Sequence, residues 1–379
     1  MADSKDIVVR KGLEGVVIDS TSVSKVMPDI NSLTYRGYTA QELCEHCRFE
    51  EVAYLLWNQQ LPNASELKAF EKQERDLRAL SDPLKKVIAQ FPKEAHPMDA
   101  IRTGISFLGM EHPEAFNATE PKDILNHSIE IFAKAPTIVA AAYRLRNGDQ
   151  PIEPKADLSY SENFFHMCFG EVPDADIVRA FDVSLILYAE HGFNASTFTT
   201  RVITSTLSDV YSAVTGGIGA LKGPLHGGAN EQVMYVLKEI GSPDKAKAWL
   251  EDAIAQKKKI MGFGHRVYKK GDSRVPTMKK YLEILSEKKG DKKWLEIANV
   301  LEEGMVEKKN IHPNVDFPAG PAYYLMGFPI DLYTPIFVMA RITGWTAHYM
   351  EQFENNRIIR PLSEYVGEKP RKVVPIDQR

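Results

Sequence analysis

The chain has 379 residues, 44% hydrophobic and 26% charged, which suits about two globular domains and is too long for one compact core. A net charge of −4 and an isoelectric point near 6.2 exclude the global basic field that draws proteins to nucleic acid or anionic membranes, so an anionic partner must be met by local groups. No stretch reaches the roughly 18 apolar residues of a membrane span. The opening MADSKDIVVRKG lacks a long apolar region and a small-residue cleavage site, and the 3 cysteines, Cys44, Cys47 and Cys168, are too few for a disulfide framework, so a cytoplasmic protein is expected.

The chain opens on a β-like stretch, VVIDST, and the turn-rich MPDINSLTYRG; strand alternation is almost absent beyond residue 40. Helical spacing begins with QELCEHCRFEEVAYLLW. Cys44 and Cys47 form a CxxC there, with His46 between them. A structural zinc needs four ligands and no second CxxC exists, so the segment is read as helix rather than as a metal or redox site. Helical patterning continues through the charged ELKAFEKQERDLRAL and the long SLILYAEHGFNASTFTTRVITSTLSDVYSAV. Pro92, Pro97, Pro113, Pro121, Pro136, Pro151, Pro154 and Pro173 are expected in the connections of antiparallel helices. No helical-solenoid repeat and no low-complexity tract is present. The glycine cluster TGGIGALKGPLHGGAN interrupts this pattern and offers a hinge, and HPNVDFPAGPAYYLMGFP interrupts it again before helix resumes at TPIFVMARITGWTAHYMEQF. The expected fold is therefore all-α, with a large helical domain of residues 1–224 and 322–379, a smaller inserted domain of residues 225–321, and the site in the cleft between them.

Three motifs set titratable side chains among glycines and prolines, where backbone can approach a ligand closely: GPLHGGAN with His226, GFGHRVYKKGDSR with His265 and Arg274, and NVDFPAG with Asp316. GIGALKG approaches a dinucleotide fingerprint, but helix rather than strand precedes it and no acidic residue follows at the expected place. His226 precedes a helical segment, ANEQVMYVLKEIG, whose positive end disfavours imidazolium. It is either a neutral donor to a developing oxyanion or a histidine bonded within a turn. Around His265, Gly262 and Gly264 let backbone approach a phosphorylated or heterocyclic ligand, whereas Lys257 and Lys258 read as a solvated face. Asp316 is either a helix cap or a base strengthened by desolvation. Arg274, Arg341 and Arg360 are ordinary surface residues unless they converge, in which case they imply a polycarboxylate. Arg341 in the apolar VMARITGWTAHYM needs an anion, because an unpaired buried guanidinium is costly.

From VVIDSTSVSKV to NNRIIRPLSEYVG, and through the three motifs in their order, the chain resembles the citrate synthase family, including 2-methylcitrate synthases. The resemblance implies a nearly all-helical homodimer whose two-domain subunits close over oxaloacetate. It implies His226, His265 and Asp316 as the catalytic trio, and His191, Arg274 and Arg341 as oxaloacetate ligands. Arg360 would be contributed across the dimer interface, and the loop of Lys259, Ile260, Met261, Gly262 and Phe263 would hold coenzyme A by its adenine. It implies no metal and no permanently bound cofactor, the acyl-CoA thioester being a co-substrate. GDSRVPTM, with Ser273 where citrate synthases usually carry proline, and NVDFPAG in place of NVDFYSG look more like the methylcitrate branch. Both acetyl-CoA and propionyl-CoA are therefore expected as substrates, with strict use of acetyl-CoA as the alternative. The chain also lacks, at its N-terminus, the extra domain of the larger hexameric members, and a dimer is expected. Two other classes remain as alternatives. A metal-dependent hydrolase would use His191, His226, His265 and Asp316, which lack the i, i+4 spacing of common zinc motifs; a noncatalytic CoA-binding protein would keep these residues for structure alone.

Overall fold

The computed structural model describes residues 9–265, Tyr268 and residues 271–379. A small antiparallel meander comes first: β1 (Ser24–Met27), β2 (Ser32–Tyr35) and β3 (Tyr38–Thr39), with Ser24 opposite Tyr35 and Tyr35 opposite Tyr38. The VVIDST stretch, expected to be β-like, forms no strand. Its side chains remain largely exposed, so alternation there has no sheet partner to reward it.

Helices follow in unbroken succession. Those of the first half are α1 (Ala40–His46), α2 (Phe49–Asn58), α3 (Ala64–Asp76), α4 (Asp82–Ile88), α5 (Pro97–Glu111), α6 (Pro121–Arg146), α7 (Tyr160–Phe169), α8 (Ala175–Tyr188), α9 (Ala195–Thr204) and α10 (Val210–Leu221). Then come α11 (Ala229–Ile240), α12 (Pro243–Ala255), α13 (Val275–Lys289), α14 (Lys293–Lys309), α15 (Asp316–Met326) and α16 (Tyr333–Glu354). Local chemistry sets many of the starts. Asn63 and Ser159 make capping boxes with Glu66 and Glu162, Asn194 and Asp209 cap α9 and α10, and Pro97 and Pro121 open α5 and α6. Each such cap is worth about 1 kcal/mol.

The CxxC segment divides into α1 and α2. Cys44 and Cys47 are both buried, and burial pushes the Cys47 thiol up to about 11, which fits the packing role. Pro136 departs from expectation. It lies inside the 26-residue α6, in a turn whose neighbours are all buried, so tertiary packing outweighs the missing N–H. The long apolar stretch beginning at Ser184 divides among α8, α9 and α10, because Asn194 and Asp209 supply new helix starts within it.

The glycine cluster interrupts helix only in its second half, where Gly223, Gly227 and Gly228 lie in the turn between α10 and α11. α10 runs through Gly216, Gly217 and Gly219 without a break. A Cβ on Gly217 would stand 2.7 Å from Thr200 Oγ1 and 3.1 Å from the Trp345 ring, so the missing side chain permits close approach of α9 and α16. α16 is the spine of the molecule: it is buried from Tyr333 to Tyr349 and packs on α2, α6, α8, α9 and α10. Helices α11 to α15 form a second group, with α11 and α13 on α15 and α12 on α14; α15 continues through Pro321. This group meets the rest of the chain where α13 and α15 pack on α8 and α11 packs on α16.

Candidate active site

A cavity of about 910 Å³ lies at that junction. One wall is the C-terminal end of α8, the N-terminal end of α9 and the middle of α16, represented by Tyr188, Ala195 and Arg341; the other includes His226, the 259–265 loop and Asp316. Residues as distant as His191 and Arg341 thus share one space. Arg266, Lys269 and Lys270, part of the basic stretch around His265, lie outside the described residues.

His226 sits in the turn before α11, but its ring is held from elsewhere. Its Nε2 accepts the backbone N–H of Ser196 at 3.2 Å and lies 2.8 Å from Ser196 Oγ, at the first turn of α9. A nitrogen that accepts from an amide carries a lone pair, so the neutral ring bears its proton on Nδ1. Burial, and then the Arg341 guanidinium, push His226 down to about 3, so the ring is neutral at working pH. The positive helix end that matters here is that of α9. The ring is therefore a fixed neutral donor on the cavity wall.

Asp316 is the first residue of α15, and its side chain does not cap that helix. Its Oδ1 accepts from the Tyr188 hydroxyl at 2.6 Å, while its backbone N–H donates to Asn314 Oδ1. Burial raises the carboxyl to about 6, opposed by the Tyr188 hydrogen bond and by Arg274. Of the two roles left open by sequence, the geometry favours a base. It is ionised near neutrality yet far more basic than an ordinary aspartate.

The cationic wall is built on the end of α8. A helix C-terminus leaves carbonyls without intrahelical partners, and two arginines take them: Arg341 Nε donates to Tyr188 O at 2.7 Å and Arg274 Nη1 to Leu187 O at 3.4 Å. Arg274 also grips Asp272 through Nε and Nη2, at 3.0 and 2.7 Å. The pair holds Asp272 far below the usual carboxylate range and Arg274 above the usual guanidinium value. Among the described residues, Arg341 has no carboxylate partner of this kind. Its Nη1 is buried without a hydrogen-bond partner, and burial lowers the guanidinium to about 10. The Nε2 of buried His191 is likewise unpartnered. Both residues line the cavity, and a buried guanidinium N–H without an acceptor calls for an acceptor-rich anionic ligand there.

His191 and His265 are T-shaped neighbours, with ring centroids 4.9 Å apart, and both touch the Tyr268 ring. His265 Nδ1 accepts from Tyr268 N, and burial and Arg274 push His265 down to about 4. The Ser273 hydroxyl bonds the Tyr268 hydroxyl at 2.9 Å, a contact that proline could not make. Lys259, Ile260, Met261, Gly262 and Phe263 all line the cavity. Gly262 has φ +83° and a Cβ there would meet Val233 at 2.5 Å, so glycine is required for this loop to lie on α11 and α15. Arg360 does not join the site of its own chain. It is exposed on the extended segment after α16.

Sequence reasoning missed Tyr188, Ser196 and Asp272, and it missed the buried support behind His191. There, Glu190 accepts from Ser24 Oγ at 2.8 Å and pairs with His348 at 2.9 Å, while Gly192 N–H donates to Ser24 Oγ. The DSR spacing was the one available signal for Asp272, since a carboxylate two residues before an arginine can fold back onto it.

Fold and site together define a helical enzyme with a neutral imidazole, a basic carboxylate and buried guanidinium groups around one cavity. The family model described as citrate synthase, C-terminal domain, matches residues 12–362. The chain is 55% identical to a citrate synthase of Mycolicibacterium smegmatis over 366 residues, covering 97% of each chain. It is also 55% identical to a 2-methylcitrate synthase of Mycobacterium tuberculosis over 363 residues, 96% of this chain and 92% of that one. Among solved structures, a ternary complex of Thermoplasma acidophilum citrate synthase with carboxymethyl coenzyme A and oxaloacetate superposes with a TM-score of 0.93, at 34% identity, over 98% of this chain and 100% of that one. The chain belongs to the citrate synthase family.

Proposed function

We propose that this enzyme condenses oxaloacetate with a short acyl-CoA and hydrolyses the resulting thioester, forming citrate from acetyl-CoA and 2-methylcitrate from propionyl-CoA. The observation that carries the reading is the pairing, on one cavity, of the raised Asp316 carboxylate with a neutral His226 whose Nε2 is occupied by the first turn of α9.

Asp316 removes a proton from the carbon next to the thioester carbonyl, and His226 Nδ1–H donates to the oxygen on which negative charge develops. The enol then attacks the ketone of oxaloacetate, polarised by His265, while Arg341, Arg274 and His191 hold the substrate carboxylates in register. Water finally cleaves the thioester and releases the free thiol of coenzyme A. The 259–263 loop receives the adenine. Residues 225–321 act as the smaller domain, and its closure keeps water out until the carbon–carbon bond has formed.

Relatives of both names stand at 55% identity, so overall likeness does not divide the two acyl groups. One methylene is worth about 1 to 3 kcal/mol in a pocket, which favours use of both thioesters. A homodimer completes the site with Arg360 of the second subunit. Its support is the arm after α16, where Ile358, Leu362, Tyr365 and Val366 are exposed apolar residues with little to pack on in their own chain. The same reading makes the enzyme cytoplasmic.

The test is free-thiol release from acetyl-CoA and from propionyl-CoA in the presence of oxaloacetate, comparing kcat/KM. Turnover of both is expected; saturating propionyl-CoA without turnover would leave a strict citrate synthase, and no turnover of either would overturn the reading. An active monomer in equilibrium sedimentation would refute the shared site.

A further inference from the structure

Away from the large cavity, α3, the α5–α6 connection and α6 border a second, open hollow of about 600 Å³, with no lining residue in common with the first. His112, the residue that ends α5, and His127 and Glu130, three apart on one face of α6, converge on it. One ligating atom from each lies within 4.8 Å of the other two. The two imidazoles are half-buried and Glu130 is buried.

The groups around them resemble the outer shell of a metal centre. His112 Nδ1 lies 2.9 Å from Glu114 Oε1, which orients the ring so that Nε2 faces Glu130 at 2.9 Å. A carboxylate on the remote nitrogen is the usual support of a metal-bound histidine, because it fixes the tautomer and raises the basicity of the ligating nitrogen. His127 Nδ1 bonds the Tyr211 hydroxyl at 2.9 Å, and that hydroxyl donates to Glu130 Oε2 at 2.7 Å. His112 Nε2 also lies 3.0 Å from Glu130 Oε1, the oxygen that Lys134 approaches to 3.1 Å while donating to Leu77 O. Asp76 and Asn126 offer further oxygen atoms on the rim.

We infer that His112, His127 and Glu130 form a binding site for a divalent transition-metal ion of the zinc class. Two imidazoles and one carboxylate suit zinc or cobalt rather than magnesium or calcium, which prefer all-oxygen sites. Tetrahedral bonds of about 2 Å place ligand atoms about 3.3 Å apart, so atoms now within 4.8 Å need close by up to about 1.5 Å. Binding displaces the proton between His112 Nε2 and Glu130 into solvent, and water from the hollow fills the remaining position. The ion ties the α5–α6 connection to the body of α6. It takes no part in the chemistry of the large cavity.

Chelator-treated full-length protein titrated with cobalt(II) tests this, following d–d absorption and affinity, with zinc(II) as competitor. One cobalt per chain with an intense low-symmetry band, displaced by zinc, is expected from this cluster. His127→Gln should remove that band and weaken binding about a hundredfold, while Glu114→Gln should weaken it about tenfold. Turnover with oxaloacetate and acyl-CoA should stay within about twofold in both variants, since neither residue lines the large cavity. His191, His226 and His265 are intact in each variant, so cobalt held by the large cavity survives the substitution. An unchanged band and affinity in His127→Gln, or a spectrum no different from aqueous cobalt in the unsubstituted protein, overturns the site. Should His127→Gln misfold by circular dichroism, exposed Glu114 carries the test, and unchanged affinity in Glu114→Gln overturns it equally.

Discussion

Replacing Tyr188 by phenylalanine isolates the hydrogen bond that sets the strength of the proposed base. The Tyr188 ring packs on Phe337 with centroids 4.2 Å apart, and phenylalanine keeps that contact; what disappears is the 2.6 Å donation to Asp316 Oδ1. A hydrogen bond to a charged group is worth about 1.5 to 3 kcal/mol, and one pKa unit corresponds to about 1.36 kcal/mol, so Asp316 should rise by about one to two units. From about 6 it would reach about 7 to 8. The active form is the carboxylate, so activity is lost as pH falls through this value, and the acid limb of kcat/KM should move upward by the same one to two units. At pH 6 the ionised fraction falls from about half to between about a tenth and a hundredth, a five- to fiftyfold loss of rate, while the alkaline plateau is kept or slightly raised by the stronger base. The assay is thiol release across pH 5 to 9 at subsaturating acyl-CoA, with thermal melting to confirm the fold. An acid limb that does not move, or a loss uniform at all pH values, would refute the assignment of Asp316 as the titrating base under the control of Tyr188.

Asp316→Asn should lower condensation by at least about four orders of magnitude and leave the Kd for oxaloacetate, measured by calorimetry, within a few-fold; near-normal turnover would end the base assignment. Arg341→Lys keeps the charge but loses the fork that holds Tyr188 O and presents Nη1, so KM for oxaloacetate should rise at least tenfold with a smaller change in KM for acyl-CoA. Gly217→Ala should cost about 1 to 3 kcal/mol in denaturant unfolding, since the new Cβ stands 2.7 Å from Thr200 Oγ1. A neutral or stabilising result would refute the reading that the missing Cβ of Gly217 is what admits Thr200 and Trp345.

Helix content was visible from residue 40 onward because the helical period is repeated over segment after segment. The errors arose where one residue type serves opposite ends. Glycine ends helices when it takes positive φ, as at Gly170, yet in α10 Gly217 stays helical and leaves room for the Thr200 and Trp345 side chains. Proline opens α5 and α6 but also sits inside α6 as Pro136. Only the partner across the contact distinguishes these cases, and a contact between residues far apart in the chain, such as Gly217 with Trp345, leaves no local trace.

The site divides along the same line. His226, His265, Asp316 and Arg341 stood out because ionisable groups in glycine-rich turns or apolar helices demand an explanation. What tunes them did not. Tyr188 reads as one more aromatic in an apolar helix, and Ser196 as one more small polar residue after a cap; the Arg341 anchor is a backbone carbonyl, which no side chain announces. Yet these unremarked groups decide the chemistry. The Ser196 amide chooses the His226 tautomer, and the Tyr188 hydroxyl keeps Asp316 near 6 when burial alone would drive it higher. A chain carrying all three motifs but lacking Tyr188 would therefore present at position 316 a carboxyl about half to nine-tenths protonated at neutral pH, and motif matching alone would not tell it from this one.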